Sequence, residues 1–87
     1  MTRTEILENL HRVFEDQFEI TDPDPEAQLR EAYDFDSIDA IELLVEIEKM
    51  LGRSLSQSEK KKAMDIRTLN QVVDYIEWLI SRGGGAS

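Results

Sequence analysis

The stretch that decides the fold is DSIDAIELLVEIEKMLG, residues 36 to 52, in which acids alternate with aliphatic side chains. Asp36 and Ser37 are residue types that favour the start of a helix, and Gly52 favours its end. The stretch therefore predicts a helix over residues 37–51. It also raises a question about Ser37, which is either a simple helix-starting residue or an attachment point for a group added by another protein.

Hydrophobic residues occupy more than one face of this predicted helix, although a single buried stripe needs only about half of the circumference. Five of them form an inward-facing seam: Leu43, Leu44, Ile47, Met50 and Leu51. Three further ones fall nearer the opposite side together with four acids: Ile38, Ile41, Val45, Asp39, Glu42, Glu46 and Glu48. An exposed apolar strip surrounded by like charges predicts a docking surface.

The flanking segments predict two more main helices. Thr2 and Glu5 have the spacing of a capping box and precede apolar residues at helical spacing, which predicts a helix over residues 3–17. Thr68 and Gln71 form a second such pair and open a last helix. One side of that helix is apolar: Leu69, Val72, Val73, Ile76, Leu79 and Ile80. Trp78 lies off this stripe, and we expect it to be half-buried.

The two connections between the main helices differ in length. In the first, over residues 21–36, two prolines prevent the helix from continuing, and we expect a short helical turn that begins at Pro25 with Asp24 as its cap. Three apolar residues should anchor this connection to the core: Leu29, Tyr33 and Phe35. The second connection predicts a short helix over residues 58–64, with the EKKK run at 59–62 as a solvated face.

The predicted fold is all-α, a small bundle of three main helices plus one short helix, with a long first loop. We expect one helical domain over residues 1–80 and a flexible C-terminal tail over residues 81–87, which includes GGGAS.

Charge and composition narrow the possible partners. The chain has 19 acids against 10 bases, a formal net charge of −9 and no cysteine. Such a surface repels phosphate backbones and anionic lipid, so nucleic acid and membranes are poor partners and proteins with basic patches are better ones. No signal peptide or long apolar run is visible, so we expect a cytoplasmic protein, and we expect a monomer.

The sequence does not favour an enzyme or a metal site. Counted from Asp34 as a calcium loop, the sixth position is Asp39 instead of glycine and the twelfth is Val45 instead of glutamate. A catalytic role for Ser37 needs a base, but His11 is the only histidine and lies in the middle of the first predicted helix. The remaining role for Ser37 is that of an attachment point, because the N-terminus of a helix suits a phosphate ester on its hydroxyl.

The run DSIDAIELLVEIEKML resembles the modification site and second helix of acyl carrier proteins. The first amphipathic helix, the long first loop, the TLNQVVDYI of the last helix and the chain length also match, so the resemblance covers roughly residues 3–80. It implies that a separate transferase attaches 4′-phosphopantetheine from coenzyme A to Ser37. The thiol of that arm holds acyl groups as thioesters, which the protein shuttles between enzymes of fatty-acid, polyketide or related acyl metabolism.

The resemblance also implies roles for the neighbours of Ser37. Asp36 would help to position the transferase's chemistry at the serine. Three acids would meet basic patches on the transferase and on acyl-handling enzymes: Asp39, Glu42 and Glu48. Three apolar residues would supply the hydrophobic contact: Ile38, Ile41 and Val45.

The sequence departs from the family's usual pattern at several positions. Ile38 follows the serine where leucine is usual, and Tyr33-Asp34 stands where Leu-Gly is usual, although aspartate tolerates a left-handed backbone better than most residues. Lys60–Lys62 make the short helix basic where the family is commonly acidic. These departures favour a specialised carrier over the general fatty-acid carrier. A D-alanyl or other aminoacyl carrier and an unmodified acidic helical adaptor stay open as alternatives.

Overall fold

The computed structural model describes the backbone of residues 1–84 and the side chains of residues 1–82. Within residues 1–84 five α-helices follow one another: α1 (Arg3–Phe18), α2 (Leu29–Tyr33), α3 (Ser37–Leu51), α4 (Gln57–Lys62) and α5 (Leu69–Gly84). A 3₁₀ turn, Ala63–Asp65, lies between α4 and α5. Residues 1–84 contain no β-strand, so the predicted all-α fold with three main helices is confirmed. Two short helices, α2 and α4, are present where one was predicted.

Helix α1 begins where the capping box predicts. The backbone N–H of Glu5 donates to Thr2 Oγ1 at 3.2 Å, and the backbone N–H of Thr2 donates to Glu5 Oε1 at 2.8 Å. The helix runs to Phe18, one residue beyond the prediction, and ends at Glu19 with a left-handed φ of 56°. Its inner face buries Ile6, Leu10 and Phe14 completely.

The turn predicted to begin at Pro25 is present as a single turn, closed by the backbone N–H of Ala27, which donates to the carbonyl of Asp24 at 3.3 Å. Asp24 caps this turn, since its Oδ1 accepts the backbone N–H of Glu26 at 3.0 Å, but the chain does not continue into a helix there. Instead Gln28 forms an isolated antiparallel bridge with Thr68, which holds residue 28 extended. Helix α2 can therefore begin only at Leu29.

The three predicted anchors of the long first connection are confirmed. Leu29 is buried, and Tyr33 and Phe35 are partly buried against the core. Phe35 stacks on Phe14 with ring centroids 5.8 Å apart, and the rings of Phe35 and Phe18 form an edge-to-face pair with centroids 5.2 Å apart. These ring contacts fix the segment immediately before α3.

Helices α3 and α5 supply most of the remaining core. On α3, Leu43 and Ile47 are buried and Leu44, Met50 and Leu51 are partly buried, as the seam predicts. Of the α5 residues whose side chains the structure describes, six are buried: Leu69, Val72, Val73, Tyr75, Ile76 and Leu79. Trp78 is half-buried, as predicted.

The interpretation of residues 59–62 as a solvated face is wrong for Glu59, which is only 4% exposed. Arg53 donates to both of its carboxylate oxygens at 3.1 Å, and Arg82 Nε lies 3.1 Å from Oε2. Glu59 also completes a capping box with Ser56, a Ser-x-x-Glu spacing that the sequence analysis missed. The hydrogen bonds from Arg53 and from the Ser56 backbone lower the pKa of Glu59 from 4.5 to about 2.

The C-terminal helix is longer than expected. Helix α5 runs to Gly84, so residues 81–84 of the expected tail are helical, and residues 85–87 lie outside the described part of the chain. In the part that the structure describes, no helix is both long and apolar enough to cross a membrane.

Candidate functional site

Ser37 is the first residue of α3 and is exposed. The capping hydrogen bonds of α3 come from its neighbour: Asp36 Oδ1 accepts the backbone N–H groups of Ile38 and Asp39, each at 3.0 Å. Since Asp36 performs the helix-starting role, the Ser37 hydroxyl is outside the cap. Of the two interpretations of Ser37, attachment point is the one that its position favours.

The contrast with Ser56 supports this distinction. Ser56 precedes α4, and its hydroxyl accepts the backbone N–H of Glu59 at 3.2 Å, so this serine is itself the cap of its helix. Ser37 lies one position further into its own helix, and Asp36 accepts the capping hydrogen bonds there. The two serines both lie at helix starts, but their hydroxyls have different roles.

The backbone turn that precedes Ser37 depends on an aspartate in a left-handed conformation. Asp34 has a φ of 57° and ends α2, with its backbone N–H donating to the carbonyl of Leu29. The predicted tolerance of Asp34 for this backbone is therefore confirmed. It lets the chain turn sharply between α2 and α3, so that Phe35 packs inward and Asp36 reaches the cap position.

An exposed apolar strip extends along α3 from Ser37. Ile38 is 66% exposed, Ile41 63% and Val45 44%, and we call these three residues the α3 strip. Glu42 lies beside the strip and is also exposed. An apolar strip next to an unburied carboxylate is the arrangement that the sequence predicts for docking.

The other predicted acids are not equally placed for docking. Asp39 Oδ2 accepts the backbone N–H of Asp36 at 3.1 Å, which completes the capping box. Glu46 forms an ion pair with Lys49 at 3.1 Å. Glu48 Oε2 accepts the backbone N–H of Leu55 at 2.8 Å and so holds the segment after α3. The structure thus groups Glu42 with the α3 strip and gives Glu48 an internal hydrogen bond.

Comparison with known proteins identifies the family. Residues 8–76 match the family model described as "Phosphopantetheine attachment site". "Acyl carrier protein 2" of Ralstonia nicotianae is 39% identical over 84 residues, which cover 93% of this chain and 99% of that protein. "Acyl carrier protein" of Rubrobacter xylanophilus is 33% identical over 78 residues, or 87% of this chain and 93% of that protein. The chain belongs to the acyl carrier protein family.

A third similar protein comes from a different organism. "Acyl carrier protein" of Thermosynechococcus vestitus is 33% identical over 79 residues, which cover 87% of this chain and 93% of that protein. No solved structure matches the chain significantly.

Family membership makes this acyl carrier protein a carrier and not a catalyst, with covalently attached 4′-phosphopantetheine as its cofactor. The residues around Ser37 fit such a group. The Ser37 side chain is exposed, and its hydroxyl is not used in the cap of α3. A phosphodiester there would lie at the positive end of a helix of 15 residues.

Proposed function

We propose that Ser37 carries the phosphopantetheine arm and that this carrier shuttles acyl groups as thioesters between enzymes of fatty-acid, polyketide or related acyl metabolism. The observation that supports this most is the exposure of Ser37 at the start of α3, inside the family-matched region. Asp36, and not Ser37, makes the capping hydrogen bonds of this helix. When bound, the arm supplies the thiol that a chain without cysteine lacks.

Asp36 serves this function by fixing the first turn of α3. Two backbone N–H groups bind its carboxylate, so the backbone on both sides of Ser37 is held in one conformation. A transferase that binds this turn meets the serine hydroxyl in a defined position. Asp36 thus positions Ser37, and the base that takes the serine proton belongs to the transferase.

The α3 strip and Glu42 form the surface that partner enzymes contact. Asp39 and Glu48 also stay in this proposal, although one oxygen of each carboxylate already accepts a backbone N–H. Exposed charge pairs each add little affinity but raise the rate of encounter with a basic partner. A carrier that visits several enzymes needs this combination of fast association and fast release.

Reversing the charge of Glu42 tests this surface. We expect Glu42→Lys to slow phosphopantetheinyl transfer about fivefold at low salt, because a weak attraction becomes a repulsion of similar size. The dependence of the rate on salt should flatten. Initial rates at low and high salt, followed by intact mass, measure both effects.

Glu8→Lys is the matched control, since Glu8 is an exposed acid on α1 and its replacement changes the net charge equally. Its rate should stay close to that of the wild type. Equal slowing in both variants would mean that only overall charge matters and would remove Glu42 from the docking surface.

We further propose that this is a specialised carrier and not the general fatty-acid carrier. Its basic α4 and the aspartate at the left-handed position before α3 support this. The family assignment replaces the alternative of an unmodified adaptor. The monomeric state and the cytoplasmic location stay predictions.

The acyl-carrying function and its specialisation are tested together by loading the protein from acyl-coenzyme A with a broad-specificity transferase. We expect an acyl mass that hydroxylamine removes, as it does from thioesters, and poor use of the loaded protein by a general fatty-acid ketosynthase. No hydroxylamine-sensitive mass would contradict the carrier function. A ketosynthase that uses this protein as well as its own carrier would contradict specialisation alone.

A further inference from the structure

Helix α4 places a cluster of positive charge on a strongly acidic chain. Lys60, Lys61 and Lys62 end this helix, while the whole sequence has only 10 bases against 19 acids. The acid within α4, Glu59, is turned inward and paired with Arg53 and Arg82. Its charge therefore does not offset the lysines, and the outer face of α4 is positive.

An exposed apolar side chain adjoins these lysines. Met64, in the 3₁₀ turn after α4, is 80% exposed, more than any residue of the α3 strip. A shallow recess beside it is lined by Gln57, Ser58, Lys60, Lys61 and Met64. The nearest following acid, Asp65, does not line this recess. Methionine adapts its shape to different contact surfaces, so this residue suits a docking role.

The base of this surface is held firmly against α5. The hydroxyl of Tyr75 donates to the backbone carbonyl of Glu59 at 2.6 Å, and burial raises the pKa of Tyr75 to about 12. Lys62 lies over the ring of Trp78 with its Nζ 4.9 Å from the centroid. Because α4 is fixed at these points, Lys60, Lys61 and Met64 are presented by a rigid support, which lowers the entropy cost of binding.

We propose that Lys60, Lys61 and Met64, the α4 patch, form a second docking surface that binds an acidic protein segment with an apolar side chain to cover Met64. Charge complementarity supports this occupant, since the patch carries two lysines and Glu59, the acid of α4, is turned inward. The patch is opposite in sign to Glu42 beside the α3 strip. A partner region that recognises the acids of α3 would be repelled here. The net charge of −9 opposes the long polyanion of a nucleic acid more than it opposes a short acidic segment.

The test uses the full chain without its arm and two synthetic peptides, one that alternates glutamate with leucine and one that alternates lysine with leucine. We expect the glutamate peptide to shift the backbone amide resonances of residues 60–64, and the lysine peptide to shift those of α3. The double variant Lys61→Glu/Met64→Ser should bind the glutamate peptide about tenfold more weakly. Arg12→Glu is the control, since it reverses an exposed base on α1 with the same change in net charge.

Several outcomes would overturn the proposal. The glutamate peptide could leave residues 60–64 unshifted, or it could bind the double variant and the wild type equally. Binding of α4 to phosphatidylglycerol vesicles without any binding of the glutamate peptide would make the patch a lipid site. Concentration-dependent shifts at α4 without peptide would make its occupant a second copy. Since no arm is attached in this experiment, none of these outcomes bears on Ser37.

Discussion

Replacing Ser37 with alanine is expected to abolish loading of the arm when the chain is incubated with coenzyme A and a broad-specificity transferase. In the proposed function the Ser37 oxygen forms the phosphodiester, and alanine has no atom that can replace it. The fold should survive, because the cap of α3 is made by Asp36 and alanine is the best helix former. Intact mass measures the loading, and a helical circular dichroism spectrum confirms the fold.

Two other serines provide the controls for this experiment. Ser81→Ala removes an exposed hydroxyl on α5 and should load like the wild type. Ser56→Ala removes the cap of α4 and should cost about 1 kcal/mol of stability but leave loading intact. If Ser37→Ala gained the same mass as the wild type, the assignment of Ser37 would be wrong.

Replacing Glu59 with glutamine should destabilise the fold more than either of the serine control substitutions does. The carboxylate lies between Arg53 and Arg82, and a neutral amide leaves both guanidinium groups without their buried counter-charge. Arg53 and Arg82 are partly exposed, so we expect a loss of about 2 kcal/mol, below the range for fully buried pairs. Urea unfolding measures it. Glu15→Gln, at an exposed position on α1, should change stability by less than about 0.5 kcal/mol.

The contribution of Glu59 to the free energy of unfolding is expected to depend on pH. The pKa of Glu59 is about 2 in the folded protein and 4.5 for an ordinary glutamate, so the folded state favours the charged form. Its contribution to stability is therefore complete above pH 4.5 and is lost as the pH falls from 4.5 towards 2. The difference in unfolding free energy between the wild type and Glu59→Gln should shrink across this range. A difference independent of pH would mean that shape, and not charge, accounts for the role of Glu59.

The elements that the sequence predicted best are those fixed by local chemistry. Helix α3 has the predicted bounds because an aspartate that caps and a glycine that takes a left-handed backbone both lie next to it. The capping boxes of α1 and α5 located both helix starts for the same reason. The exposed α3 strip was also predictable, because the helix has more apolar positions than one buried face can hold.

Most of the features that were missed depend on contacts between separate segments of the chain, whereas the Ser56–Glu59 capping box is local and was overlooked. The start of α2 is set by the bridge between Gln28 and Thr68, which no local pattern indicates. Glu59 looked solvated because three lysines follow it, yet Arg53 and Arg82 approach it from other parts of the chain. The Glu48 carboxylate likewise binds the backbone of Leu55 beyond the end of its own helix.

The most direct test of this account is to locate the arm on the loaded wild-type chain by proteolysis and fragment mass measurement. We predict the added mass of one phosphopantetheinyl group on the fragment that contains Ser37, and on Ser37 itself when that fragment is sequenced. The same mass on Ser56, or on any other residue, would contradict the account.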